Sequence, residues 1–188
     1  MGEYIENFVD ALPDPKRVKE IKKDLESKGV KYIYSHWIDF LGSPKTKPMP
    51  ISDFEDLCAG KGPQFAVHSV SFVPELTPAD NDQIPVPDLD SLVICPWDKT
   101  CAWVFADLYW NDRPYDVCPR LTLKKQIQKS AKSDLKFFVG IEPEFFLMKW
   151  EGDKPVKAID RDPIPLRRQA FGYDAEYSID GMHFLKDI

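Results

Sequence analysis

An α+β fold is predicted for this chain of 188 residues, with a strand-rich stretch leading into a helix and a second extended segment. Three observations predict it. Up to about residue 115, apolar and aromatic residues fall in short runs punctuated by glycine and proline, the pattern of strands and turns. Helical spacing is clear only over residues 14–28 and again after Pro119. Residues 137–148 then form an apolar run broken only by Glu142 and Glu144.

The elements follow in order. Asp14-Pro15 with Val18, Ile21 and Leu25 predicts an amphipathic helix ended by Gly29, its lysine-rich face in solvent. Residues 30–40 are dense in Tyr, Ile and Trp, and Gly42-Ser43-Pro44 turns the chain into a second extended run toward Met49, making a hairpin. Residues 51–57 predict a short helix with Ser52 as its cap. Pro74, Pro78, Pro85 and Pro87 predict a long irregular loop over residues 60–90, and a loop of that length tends to be functional. Residues 100–110 read as a strand ending in a turn at Asn111-Asp112, and Trp97, Trp103 and Trp110 read as core or interface aromatics.

Cys118-Pro119-Arg120 marks the expected domain boundary. Beyond it Leu121, Leu123, Ile127 and Ala131 mark a helix, with Lys124, Lys125, Lys129 and Lys132 on its other faces. Residues 150–172 read as a polar, proline-broken loop in which Arg161, Arg167 and Arg168 are solvated. Residues 177–188 read as a helix whose apolar face nothing else in the chain covers.

Charge and composition exclude several classes. With 43% hydrophobic and 13% aromatic residues the chain is expected to bury a core rather than stay disordered. A formal charge of −6 argues against a general nucleic-acid surface, which needs clustered Lys and Arg. No stretch has the apolar length of a membrane span, and the first six residues are acidic rather than a basic export signal, so a cytoplasmic protein is expected. Cys58, Cys95, Cys101 and Cys118 contain no C-x-x-C and read as core thiols.

The acid pair carries the chemistry. On a strand Glu142 and Glu144 project from one face, about 6–7 Å apart, while Ile141, Pro143 and Phe145 face the other way. Two like charges flanked by apolar residues either protonate or receive a cation. Mg²⁺ or Mn²⁺ suits carboxylate oxygens; the competing reading is an edge strand with a wetted acidic face, which Pro143 favours.

Three segments together resemble the N-terminal part of the glutamine synthetase superfamily. They are residues 30–50, with Asp39-Phe40-Leu41-Gly42; residues 88–120, with Asp88-Leu89-Asp90-Ser91-Leu92, Pro96-Trp97, Ala106-Asp107 and Cys118-Pro119-Arg120; and Gly140-Ile141-Glu142-Pro143-Glu144-Phe145-Phe146-Leu147. The resemblance spans roughly residues 15–150. It implies a β-grasp domain over residues 14–115, then the incomplete start of an α/β catalytic domain over residues 119–188. It also implies that Glu144 contacts a divalent ion nearer glutamate and Glu142 one nearer the ATP phosphates. The implied reaction is an ATP-dependent ligation in which the glutamate γ-carboxylate is phosphorylated and ammonia displaces phosphate. Family members form rings, so a homo-oligomer is expected of the full-length enzyme, with neither nucleic acid nor membrane as partner.

Two departures qualify that picture. Many family members carry G-x-x-F-D-G-S-S, whose Asp and Ser help bind and deprotonate ammonium, whereas here the stretch is Gly60-Lys61-Gly62-Pro63-Gln64-Phe65-Ala66-Val67-His68-Ser69. The acid is absent, which admits methylamine or another amine as acceptor, with His68 and Ser69 as candidate substrate contacts. The other departure is length: the remaining metal ligands, the nucleotide and glutamate sites and the catalytic residues are not identifiable. The chain alone is therefore expected to be inactive, as part of a longer enzyme. A non-catalytic interaction or regulatory module from a split or truncated gene is the other reading.

Overall fold

In the computed structural model, which describes residues 3–70, 75–158, 184 and 186, the elements run α1 (Phe8–Ala11), α2 (Pro15–Ser27), β1 (Tyr32–Ile38), β2 (Pro44–Pro50), α3 (Phe54–Cys58), β3 (Phe65–Ala66), α4 (Val67–Val70), β4 (Asp82–Pro87), β5 (Val93–Ile94), β6 (Cys101–Trp110), β7 (Arg113–Pro114), α5 (Pro119–Ala131), β8 (Met148–Glu151) and β9 (Lys154–Lys157). The fold is mixed α/β. Contacts divide the chain into two compact units, Met1–Phe137 and Phe138–Ile188.

The first unit is built on one sheet in the order β2-β1-β6-β4-β3, with β5 and β7 also pairing with β6. β1 and β6 run parallel at its centre, with Ile33 opposite Ala102 and Ser35 opposite Val104; the other pairs are antiparallel. Alternation along β1 decides the faces: Ile33, Ser35 and Trp37 are buried while Tyr32, Tyr34 and His36 are more open. Onto the Ile33 face packs α2. Its Asp14 cap accepts the Lys16 N–H at 3.0 Å, Pro15 sits in the first turn, and Gly29 ends it at φ +83°. Val18 and Leu25 of α2 join Ile33, Met49, Phe54, Leu57, Cys58, Ala102 and Val104 in one core. A second core gathers Trp37, Val67, Val86, Leu108, Tyr109, Tyr115, Cys118 and Leu121.

The α2 helix, the β1–β2 hairpin, the β6 strand and the α5 helix match the sequence reading. Asn111 and Asp112, at φ 51° and 62°, form the predicted turn, whose two left-handed residues suit a tight hairpin. Other expectations are corrected. Ser52 does not cap α3; its hydroxyl donates to the Asp53 carboxylate instead. Residues 82–87, read as loop for their prolines, form strand β4. Its outer side pairs with β3 at Asp82 and Gln83, so among the described residues Pro85 and Pro87 meet no further ladder there. Trp97, read as a core or interface aromatic, is 72% exposed, which removes the core alternative.

In the second unit the strand predicted over residues 137–148 forms only from Met148. The preceding residues, 138–147, are in no helix or strand; beyond the Leu147 carbonyl, which accepts the Ala158 N–H at 3.0 Å, no strand among the described residues pairs with them, and an unpaired strand is not stable on its own. Part of the loop predicted over residues 150–172 is instead a hairpin, β8 with β9, turning at Gly152 (φ +59°). The predicted helix over residues 177–188 and Arg161, Arg167 and Arg168 lie outside the described residues, but for Phe184 and Lys186.

Candidate functional site

Glu142 and Glu144 stand on that unpaired stretch of the second unit. Both are exposed, as are Phe138 (93%), Ile141 (87%) and Phe146 (93%) around them. The burial anticipated from their apolar flanks is therefore absent here. Among the described residues no cation pairs with either carboxylate, and no group of three metal-ligating side chains comes together. Two free carboxylates are a chemically fitting but partial donor set for a hard divalent ion, which takes six or more oxygens.

His68 and Ser69 belong to α4 of the first unit. Ser69 Oγ lies 3.3 Å from His68 Nε2, while His68 Nδ1 is buried without a hydrogen-bond partner among the described residues. The ring is half-buried and the Ser69 side chain open, so the two form a small polar pair beside Val67, which is fully buried. The Asp39 carboxylate, by contrast, is committed to structure. Its Oδ1 accepts the Leu41 and Ser43 N–H groups at 2.9 and 2.8 Å, and Lys45 lies 3.4 Å from Oδ2. Burial opposes the Asp39 charge, but the Ser43 N–H, Lys45 and the Leu41 N–H outweigh it and hold the carboxyl below its ordinary range.

A buried ion network escaped the sequence reading. Arg120 Nη2 donates to Asp88 Oδ2 at 2.6 Å and Arg120 Nε to Asp107 Oδ1 at 3.1 Å. Lys124 Nζ donates to Asp107 Oδ2 and lies 3.5 Å from Asp88. Lys124, expected on an outer face of its helix, is only 4% exposed, because Arg120, Leu121 and Lys124 share the face of α5 turned to the sheet. The available signal was the i, i+4 spacing of two cations beside Leu121, opposite Asp88 and Asp107 in the resembling segment. With all four charges compensated, the network fastens α5 to β6 and the end of β4 rather than waiting for a ligand.

The family model for the glutamine synthetase catalytic domain matches residues 116–188, the stretch that holds Glu142 and Glu144. A glutamine synthetase of Rhizobium meliloti is 38% identical over 73% of this chain and 31% of its own length. The chain is a partial glutamine synthetase-like protein. A glutamate–methylamine ligase of Methyloversatilis universalis is 32% identical to this glutamine synthetase-like chain over 77% of it and 32% of the relative. Among solved structures, a complex of GmaS with ADP superposes with a TM-score of 0.56 at 28% identity, covering 60% of this chain and 26% of that one. The glutamine synthetase-like chain thus spans about a third of the length of the curated relatives it matches.

Proposed function

We propose that this chain is the N-terminal part of an ATP-dependent ligase that joins the γ-carboxylate of glutamate to ammonia through γ-glutamyl phosphate. The observation that carries the proposal is the placement of Glu142 and Glu144, two exposed carboxylates without ion-pair partners among the described residues, inside the stretch matched by the catalytic-domain family. In this reading Glu144 contributes to a Mg²⁺ or Mn²⁺ ion near glutamate, Glu142 to a second near the ATP phosphates, and further ligands come from outside this chain. When bound, such ions shield phosphate charge and stabilise phosphoryl transfer. The chain's own part is to present two oxygens two residues apart. The domain reading, a β-grasp over residues 14–115 and the start of a catalytic domain over residues 119–188, is supported by α2 lying across a mixed sheet with parallel β1 and β6 at its centre. A homo-oligomeric ring and a cytoplasmic location belong to the same proposal; among the described residues no helix is long and apolar enough to cross a membrane.

A second reading concerns the acceptor. Residues 60–69 contain no carboxylate, and one of the relatives is a glutamate–methylamine ligase, so methylamine or a comparable amine is favoured by two independent observations. In that reading His68 and Ser69 contact the amine substrate. Two experiments test the scheme. Calorimetric titration with Mn²⁺ is expected to show binding to the chain that Glu144→Ala weakens by about tenfold; identical heats for both proteins would remove the metal assignment. With the longer enzyme, competition between ammonia and methylamine decides the acceptor, and a His68→Ala change that leaves the KM for the preferred amine unmoved removes His68 from the site.

A further inference from the structure

Cys95 and Cys101, core thiols by their sequence context, are brought face to face by the β5–β6 register. Val93 pairs with Trp103 and Ile94 with Ala102, so the next pair in the ladder is Cys95 opposite Cys101. The Cys95 N–H donates to the Cys101 carbonyl at 2.9 Å, which fixes that register at the end of the ladder. Directly opposed residues of an antiparallel pair have Cα atoms about 4.5–5.5 Å apart and side chains on one face, within the range a disulfide spans, about 4.4–6.8 Å. Both are free thiols, 3% and 7% exposed. They flank the exposed turn Pro96-Trp97-Asp98-Lys99-Thr100 and belong to neither hydrophobic core. The Cys101 Sγ donates to Asp98 Oδ2 at 3.4 Å and lies 3.7 Å from Thr100 Oγ1, and its thiol also lies against the Tyr34 hydroxyl. By contrast Cys58 belongs to the α2 core and Cys118 to the second core, so neither competes for a partner.

We infer that Cys95 and Cys101 form an oxidisable dithiol, a modification site that hydroperoxides convert to an intramolecular disulfide, pinning the turn that carries Trp97. The Cys101 sulfur, bonded to a residue of the exposed turn, meets the oxidant first. Its thiolate attacks one peroxide oxygen, the O–O bond breaks, and hydroxide leaves and takes up the thiol proton as water while Cys101 becomes a sulfenic acid. The Cys95 thiol then attacks that sulfur; the S–S bond forms and the sulfenic oxygen departs as a second water. Each sulfur loses one electron and the peroxide gains two, so two thiols and one hydrogen peroxide give one disulfide and two waters.

Peptide mapping of the folded 188-residue chain after exposure to hydrogen peroxide tests this. A peptide pair joined through Cys95 and Cys101 is expected, lighter by about 2 Da than the reduced pair and restored by dithiothreitol. Trp97 and Trp103, packed edge to face at 5.3 Å beside the pair, supply a second readout, because a neighbouring disulfide quenches indole emission. In Cys95→Ser the sulfenic acid has no resolving thiol, and dimedone is expected to label Cys101. Both thiols still fully alkylatable after peroxide, or a disulfide that joins either of them to Cys58, Cys118 or a second chain, would overturn the inference.

Discussion

His36 shows how one side chain reports its surroundings. It sits between Tyr34, Trp103 and Phe105, with ring centroids at 6.2, 5.6 and 6.0 Å, and this burial lowers its pKa below the ordinary 6.5, against a smaller opposing effect of the Lys45 backbone. Because the folded value is the lower one, the unfolded chain binds more protons in this range. Stability is then full above about pH 6.5 and falls as the pH drops through the folded pKa. Urea midpoints are expected to decline between about pH 7.5 and 5, and to decline less in His36→Gln; equal slopes for the two proteins would exclude His36 as the source. Lys124 makes the stronger case for tertiary context. Lys124→Met leaves Asp88 and Asp107 with one cation fewer in a buried site, and a loss of about 3–5 kcal/mol in urea unfolding is expected. A loss below about 1 kcal/mol would mean the network is solvated enough to be dispensable. Cys58, pushed up to about 12 by burial in the first place and by Glu55 in the second, is a core thiol as its sequence context suggested.

Among the elements, α2 was legible because every local signal agrees: cap, proline, apolar spacing and terminal glycine. Asp14→Ala removes the bond to the Lys16 N–H and is expected to cost about 1 kcal/mol in thermal or urea unfolding; no measurable change would show that Pro15 alone sets the start. The β4 strand was not legible, because Pro85 and Pro87 signal irregularity locally and only the sheet order reveals that β3 stops short of them. The reverse holds for residues 137–147. Their apolar, alternating pattern is that of a strand, yet a strand exists only where a neighbour supplies ladder bonds, and among the described residues only the Leu147 carbonyl, at the edge of the β8–β9 hairpin, receives one. Lys124 was misplaced for a related reason: helical periodicity says which residues share a face but not what charge the opposing sheet presents.

At the scale of the molecule, and among the described residues, the first unit has two cores, one beneath α2 and one joining β4, β6 and α5, while the second unit has a hairpin and a largely exposed apolar run. The matched part of this chain covers only about a third of its curated relatives, which supports the proposal that catalysis requires chain beyond these residues. The isolated chain is expected to release no phosphate from ATP in the presence of glutamate and either ammonia or methylamine. Turnover above background in that assay would show instead that this chain suffices.

Sequence by itself determined the resemblance to glutamine synthetases and the adjacency of Glu142 and Glu144, because both depend on the order of residues along the chain. It also determined α2, the first hairpin and the left-handed turn at Asn111-Asp112, whose signals lie within a few neighbouring residues. Only tertiary structure decided that Arg120 and Lys124 meet Asp88 and Asp107, that β4 tolerates its prolines, and that Cys95 faces Cys101. Each of these depends on which strands become neighbours, a choice made by burial over long sequence separations and written in no single local pattern.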